Sequence, residues 1–131
     1  MQINYLAVLV GAILNMVIGA VWYSPLLFAK PWMKATGKSM NSAGSPTTGY
    51  ALSALCSLVV AWVLAYFIGL IDVTGFTAGM AIGFWAWLGF VVTTHAANYV
   101  FEGRSRKLYA INVGYSLVAF VLIGGLLAVW R

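Results

Sequence analysis

Charge is what this sequence has least of. Only 7% of its 131 residues are charged, and only Asp72 and Glu102 are acidic. A soluble domain is about 25% charged. One of this length could not hide a composition that is 63% hydrophobic from water. Lipid must therefore stand in for solvent, and a mean hydropathy of +0.97 agrees. The single cysteine, Cys56, allows no disulfide within the chain and has no neighbouring charge to lower its pKa, so it reads as a packing residue. One histidine and one interfacial glutamate are too few ligands for a metal centre. No glycine loop is built to cradle phosphate. His95 has no serine or cysteine at a motif spacing, although Thr93 and Thr94 adjoin it. No cofactor, metal or catalytic residue is expected, and the chain is not expected to be an enzyme.

What is present is apolar length. A membrane-spanning helix needs about 20 apolar residues, and four windows qualify, over 3–24, 46–70, 75–99 and 108–130. The expected fold is all-α: a single membrane domain, an integral four-helix bundle with short loops. The first window lacks a basic leader and a small-residue cleavage site, so it reads as a retained span. Ser24-Pro25 and Ser45-Pro46 place a capping hydroxyl before a proline, which suits a helix start. A short interfacial helix is expected from Pro25, with Leu26, Leu27, Phe28, Trp32 and Met33 toward lipid and Lys30 and Lys34 toward phosphate. A flexible loop over 36–45 follows. Residues 71–74 leave room only for a tight hairpin, and Gly103 suits a C-terminal helix cap.

Cations set the expected orientation. The first loop carries Lys30, Lys34 and Lys38, the third Arg104, Arg106 and Lys107, and the second only Asp72. By the positive-inside rule the first and third loops are cytoplasmic and both termini lie outside, in a bacterial inner membrane. Lys30, Lys34, Arg104, Arg106 and Lys107 are then placed to meet anionic lipid headgroups. The basic clusters have none of the aromatic interleaving of a nucleic-acid groove, so no nucleic-acid partner is expected.

Lipid removes the hydrophobic drive between helices, and small residues take over by letting backbones approach. Gly11 and Gly19 mark one such stripe and Gly75, Gly79 and Gly83 the sharpest. Such a stripe closes either the bundle itself or a contact in a homo-oligomer.

No charge lies at the centre of any span, which argues against a proton-coupled antiporter built on a buried carboxylate. Neutral polar groups remain. Asn15 lies mid-span. His95, Asn98 and Glu102 recur at helical spacing near the cytoplasmic end of the third span, with Asn112 and Tyr23 at the same level. Two readings follow. The six could converge on a polar, cytoplasm-facing site that binds or passes a small solute. In the other, the chain is a structural or auxiliary membrane protein and these residues only fasten helices, at roughly 1 kcal/mol each.

The run Trp22-Tyr23-Ser24-Pro25-Leu26-Leu27-Phe28, with Lys30 and Trp32-Met33 after it and Asn15 and Gly19 before it, carries a family resemblance. So do Phe101-Glu102-Gly103-Arg104 and Ile111-Asn112-Val113-Gly114-Tyr115. Across nearly its whole length the chain resembles a family of small bacterial membrane proteins known only as a domain of unknown function, number seventeen sixty-one. Ala29 and Pro31 stand where that pattern has Gly and Ala, which stiffens the segment without changing its amphipathicity. The resemblance implies a four-helix membrane protein and carries no activity, ligand or catalytic residue.

Overall fold

The computed structural model describes residues 2–37 and 46–131, and these fold as helices joined by turns. In chain order they are α1 (Tyr5–Trp22), a short α2 (Ala29–Thr36), α3 (Pro46–Ile71), α4 (Phe76–Phe101) and α5 (Arg106–Val129). All except α2 are long and apolar enough to cross a bilayer. The shortest of these, α1, has 18 residues, or about 27 Å of helix against a hydrocarbon thickness of ~30 Å. Residues 38–45, which hold Lys38 and the expected Ser45 cap, lie outside the described residues.

Each helix turns its bulk outward. Leu6, Leu9, Ile13 and Val17 of α1 are exposed at helical spacing, while Ala7, Val8, Gly11 and Ala12 face inward. A soluble helix reverses this; here lipid solvates the large side chains and small ones let the backbones meet. The closest approach is between α4 and α5. A Cβ on Gly79 would overlap the Gly124 carbonyl, and one on Gly83 would overlap the Phe120 carbonyl. Both glycines are therefore used within the chain. Gly75 is not part of that seam. It precedes α4 with φ +96°, and a Cβ there would meet nothing within 4 Å, so its task is the turn.

The two ends of the bundle differ. At one end a closed core of Ala7, Val8, Ala61, Leu64, Ile68, Ile123 and Leu127 joins α1, α3 and α5. Polar contacts seal that end: Asn4 Nδ2 donates to the Trp130 carbonyl at 3.4 Å, and Arg131 lies 3.1 Å from Asp72 and donates to the Val73 carbonyl. Asp72 itself sits at φ +61° in the expected tight hairpin. Toward the other end α3 leaves its neighbours. Ser57 is buried, whereas Tyr50, Leu52, Ser53 and Leu55 are exposed.

The segment after α1 departs from expectation. Residues 25–28 form a turn and α2 begins at Ala29. The Ser24 hydroxyl donates back to the Val21 carbonyl at 2.6 Å instead of capping a helix from Pro25. The Phe28 N–H reaches the Trp22 carbonyl, folding the chain so that the Trp22 and Phe28 rings lie 4.5 Å apart. Lys30 and Lys34 are exposed, as an interfacial helix requires.

Candidate functional site

At the splayed end, α1 is tied to α5 by aromatic side chains. Trp22 Nε1 donates to the Ile111 carbonyl at 2.9 Å, and Gly114 leaves room for the indole, since a Cβ there would come 3.0 Å from the Trp22 ring. The Tyr23 hydroxyl bonds Asn112 Oδ1 at 2.6 Å, and Asn112 Nδ2 bonds the Tyr99 hydroxyl of α4 at 2.6 Å. One turn deeper, the Tyr115 hydroxyl donates to Asn15 Oδ1 at 2.8 Å, and Asn15 Nδ2 donates to Ser57 Oγ of α3 at 2.7 Å. Gly19 admits the Tyr115 ring, with 3.4 Å between it and a hypothetical Cβ. Two of the sequence runs that carry the family resemblance, Trp22-Tyr23 and Ile111 to Tyr115, thus meet each other.

Two recesses flank this ladder and share Tyr23 and Tyr115 as their common wall, with ring centroids 5.7 Å apart. The larger, about 690 Å³, lies between α1 and α3 and is lined by Asn15, Met16, Tyr50, Ser53, Cys56 and Ser57 among others. The smaller, about 400 Å³, lies between α4 and α5 and is lined by His95, Tyr99, Arg104, Asn112 and Ser116.

Two local devices place the walls of the smaller recess. The first is a π-helical turn over Trp87–Val92 inside α4. In an unbroken α-helix Tyr99 would lie about 200° around from Gly79; a π turn takes back roughly one residue's rotation, about 100°, and brings Tyr99 toward α5. The carbonyls around the irregular turn are met by side chains. Thr93 bonds Gly89, Thr94 bonds Phe90, His95 Nδ1 lies 2.9 Å from the Val91 oxygen, and the Tyr109 hydroxyl donates to Val92. The second device ends the helix. Gly103, at φ +67°, donates its N–H to the Val100 carbonyl, and the Arg104 N–H reaches the Tyr99 carbonyl at 2.9 Å. This paired closure folds the chain back and sets the Arg104 guanidinium 4.2 Å above the Tyr99 ring.

Of the six polar residues singled out from the sequence, Asn15, Tyr23, His95 and Asn112 line the recesses. Asn98 and Glu102 do not. Both are exposed, and Glu102 lies 3.7 Å from Arg104 on the outer side of the turn. Their spacing with His95 is helical as expected, but the π turn rotates that face away from α5. The residues missed are Tyr99, Tyr115, Ser57 and Arg104. Tyr99 reads in sequence as an interfacial aromatic, yet it is 5% exposed. Ser57 carried the one available signal, its place in the small-residue stripe of α3.

No curated protein and no solved structure matches the chain. The family model described as "Protein of unknown function (DUF1761)" matches residues 6–128, so the chain belongs to that family and is a multi-span membrane protein by its four long apolar helices.

Proposed function

We propose that this chain binds a small polar-headed solute in a blind recess that opens at the end bearing the first and third loops. The carrying observation is the asymmetry of the bundle. Polar side chains and open volume gather in one half, around Tyr23 and Tyr115, while the other half is a closed apolar core. A pore through one chain would need polar groups or space along its whole length, so the asymmetry favours binding over passage. Ligand sites combine concavity with a few placed polar groups, and both features coincide here. The basic residues of the first and third loops favour the cytoplasmic side for the mouth.

A second reading rests on its own observation. Asn15 and Asn112 each spend both ends of their amide on neighbouring helices, which is what fastening residues do. Cys56 separates the two, because it lines the larger recess. A binding recess holds water when empty, so Cys56 reacts with a small charged methanethiosulfonate reagent in proteoliposomes, and Ser53→Trp slows that reaction by filling the space. If Cys56 reacts only with a lipid-soluble maleimide, the recess is occupied by acyl chains and the fastening reading stands in its place.

A further inference from the structure

Hydrogen-bond direction in the smaller recess identifies the chemistry of its occupant. Tyr23, Asn112 and Tyr99 form a closed chain of two phenols and one amide, linked at 2.6 Å on each side. The amide oxygen can only accept and the amide nitrogen only donate. Whichever way the Asn112 amide is turned, one phenol gives its proton to the oxygen. The other phenol accepts from the nitrogen and keeps its own proton unspent. Asn112 also retains a second N–H, since its nitrogen makes one bond of two.

Arg104 adds to this surplus. Among the described residues its guanidinium donates no hydrogen bond; its contacts are the Tyr99 face at 4.2 Å and the Glu102 carboxylate at 3.7 Å, beyond hydrogen-bonding distance. The fork is thus held flat on an aromatic ring with its donors available. His95 Nδ1 faces a carbonyl and therefore carries a proton, leaving Nε2 to accept when the ring is neutral and to donate when it is charged. No carboxylate lines the recess. Its polar lining is rich in unspent donors, carries one fixed positive charge and has few free acceptors. The complement is an acceptor-only group bearing negative charge.

We propose that the α4–α5 recess receives the anionic head of the ligand, a carboxylate or phosphate, on the Arg104 guanidinium and the unspent phenol proton of the Tyr23–Asn112–Tyr99 chain. This rests on the binding reading above and deepens it. A membrane lipid and a water-soluble anion offer the same head chemistry, and the test separates them. The protein is placed in nanodiscs of phosphatidylcholine alone, or with phosphatidylglycerol added. Lipid retention is read by native mass spectrometry. Inorganic phosphate and acetate are titrated by calorimetry in the phosphatidylcholine discs.

One of the anionic probes binds saturably to the wild type. Arg104→Gln weakens it about ten-fold or more, as expected for loss of a charge-assisted bidentate contact. Arg104→Lys keeps the charge and loses the fork, so its defect is smaller. Lys107→Gln, in the same loop but outside the recess, changes affinity by less than about two-fold. Retention of phosphatidylglycerol assigns the head to lipid; saturation by phosphate or acetate assigns it to a soluble anion. Equal effects of Arg104→Gln and Lys107→Gln reduce the attraction to general surface charge and overturn the assignment. A saturable phosphatidylcholine ligand indifferent to Arg104→Gln overturns it too, while leaving the binding reading in place. If no probe saturates the wild type and Cys56 reacts only from lipid, both fall. Arg104 is largely exposed, and the melting temperature of Arg104→Gln without anion confirms that the fold is retained.

Discussion

Asn15 and Ser57 are joined by a 2.7 Å hydrogen bond at the level where α1 and α3 begin to part. Ser57 is 2% exposed, and beyond it α3 has no buried residue toward its N-terminus among those described. The bond is therefore the last tie before the helices splay. Ser57→Ala should cost about 1 kcal/mol, the usual worth of an interhelical side-chain bond in a membrane protein. Asn15→Ala should cost more, because the same amide also receives the Tyr115 hydroxyl. Reversible unfolding in mixed micelles measures both. In the double mutant the two losses should be less than additive. Full additivity would show that the residues do not act through each other.

The α4–α5 seam predicts a sharp contrast among glycines. Gly79→Ala drives a methyl group into the Gly124 backbone, and no rotamer change can relieve a backbone clash. The helices must separate, at a cost of about 1–3 kcal/mol or more. Gly89 lies on the same helix with nothing within 4 Å of a Cβ, so Gly89→Ala should stay within about 0.5 kcal/mol of wild type. The same unfolding assay compares them. Similar losses at the two positions would mean that helix propensity, and not contact, sets the cost.

These contacts also show what could be read from the sequence. Apolar run length located all four spans to within two residues, because the bilayer fixes a length and composition reports it. Gly79 and Gly83 were legible because close packing in lipid needs small residues whatever their partner. Asn15, Tyr23, His95 and Asn112 were legible as polar groups at a common depth. Asn98 and Glu102 were misassigned because spacing fixes which residues share a face, not where that face points. In α4 the direction is set by the π turn, and the run Trp87-Leu88-Gly89-Phe90-Val91-Val92 carries no proline or charge to mark one. Arg104 was read as a headgroup contact because its return over Tyr99 depends on backbone geometry at Gly103.

That geometry can be tested directly. Gly103 occupies the left-handed region at φ +67°, where a side chain on an L-residue meets its own carbonyl. Gly103→Ala should destabilise the protein by about 1 kcal/mol, and Gly103→Asn by less, since Asn tolerates this conformation better. Both variants should reproduce part of the Arg104→Gln binding defect while keeping the arginine, because the turn no longer delivers it to the Tyr99 ring. A Gly103→Ala protein that melts lower but binds as wild type would separate the turn from the site.

The contact between Trp22 and Gly114 joins the two sequence runs at the heart of this end of the bundle, and a double-mutant cycle can isolate it. A Cβ on Gly114 would lie 3.0 Å from Trp22 Cζ2, an atom of the six-membered indole ring. Phenylalanine has no atom there. Gly114→Ala alone should cost about 1 kcal/mol or more through overlap. Trp22→Phe alone should cost a similar amount, by removing the 2.9 Å bond to the Ile111 carbonyl and leaving a gap beside α5. In the Trp22→Phe background the added methyl finds that gap, so Gly114→Ala should become nearly neutral. The expected coupling of about 1 kcal/mol is well above the ~0.3–0.5 kcal/mol scatter of independent sites. If Gly114→Ala costs the same in both backgrounds, the indole does not rest on Gly114, and the α1–α5 contact that frames both recesses is drawn wrongly.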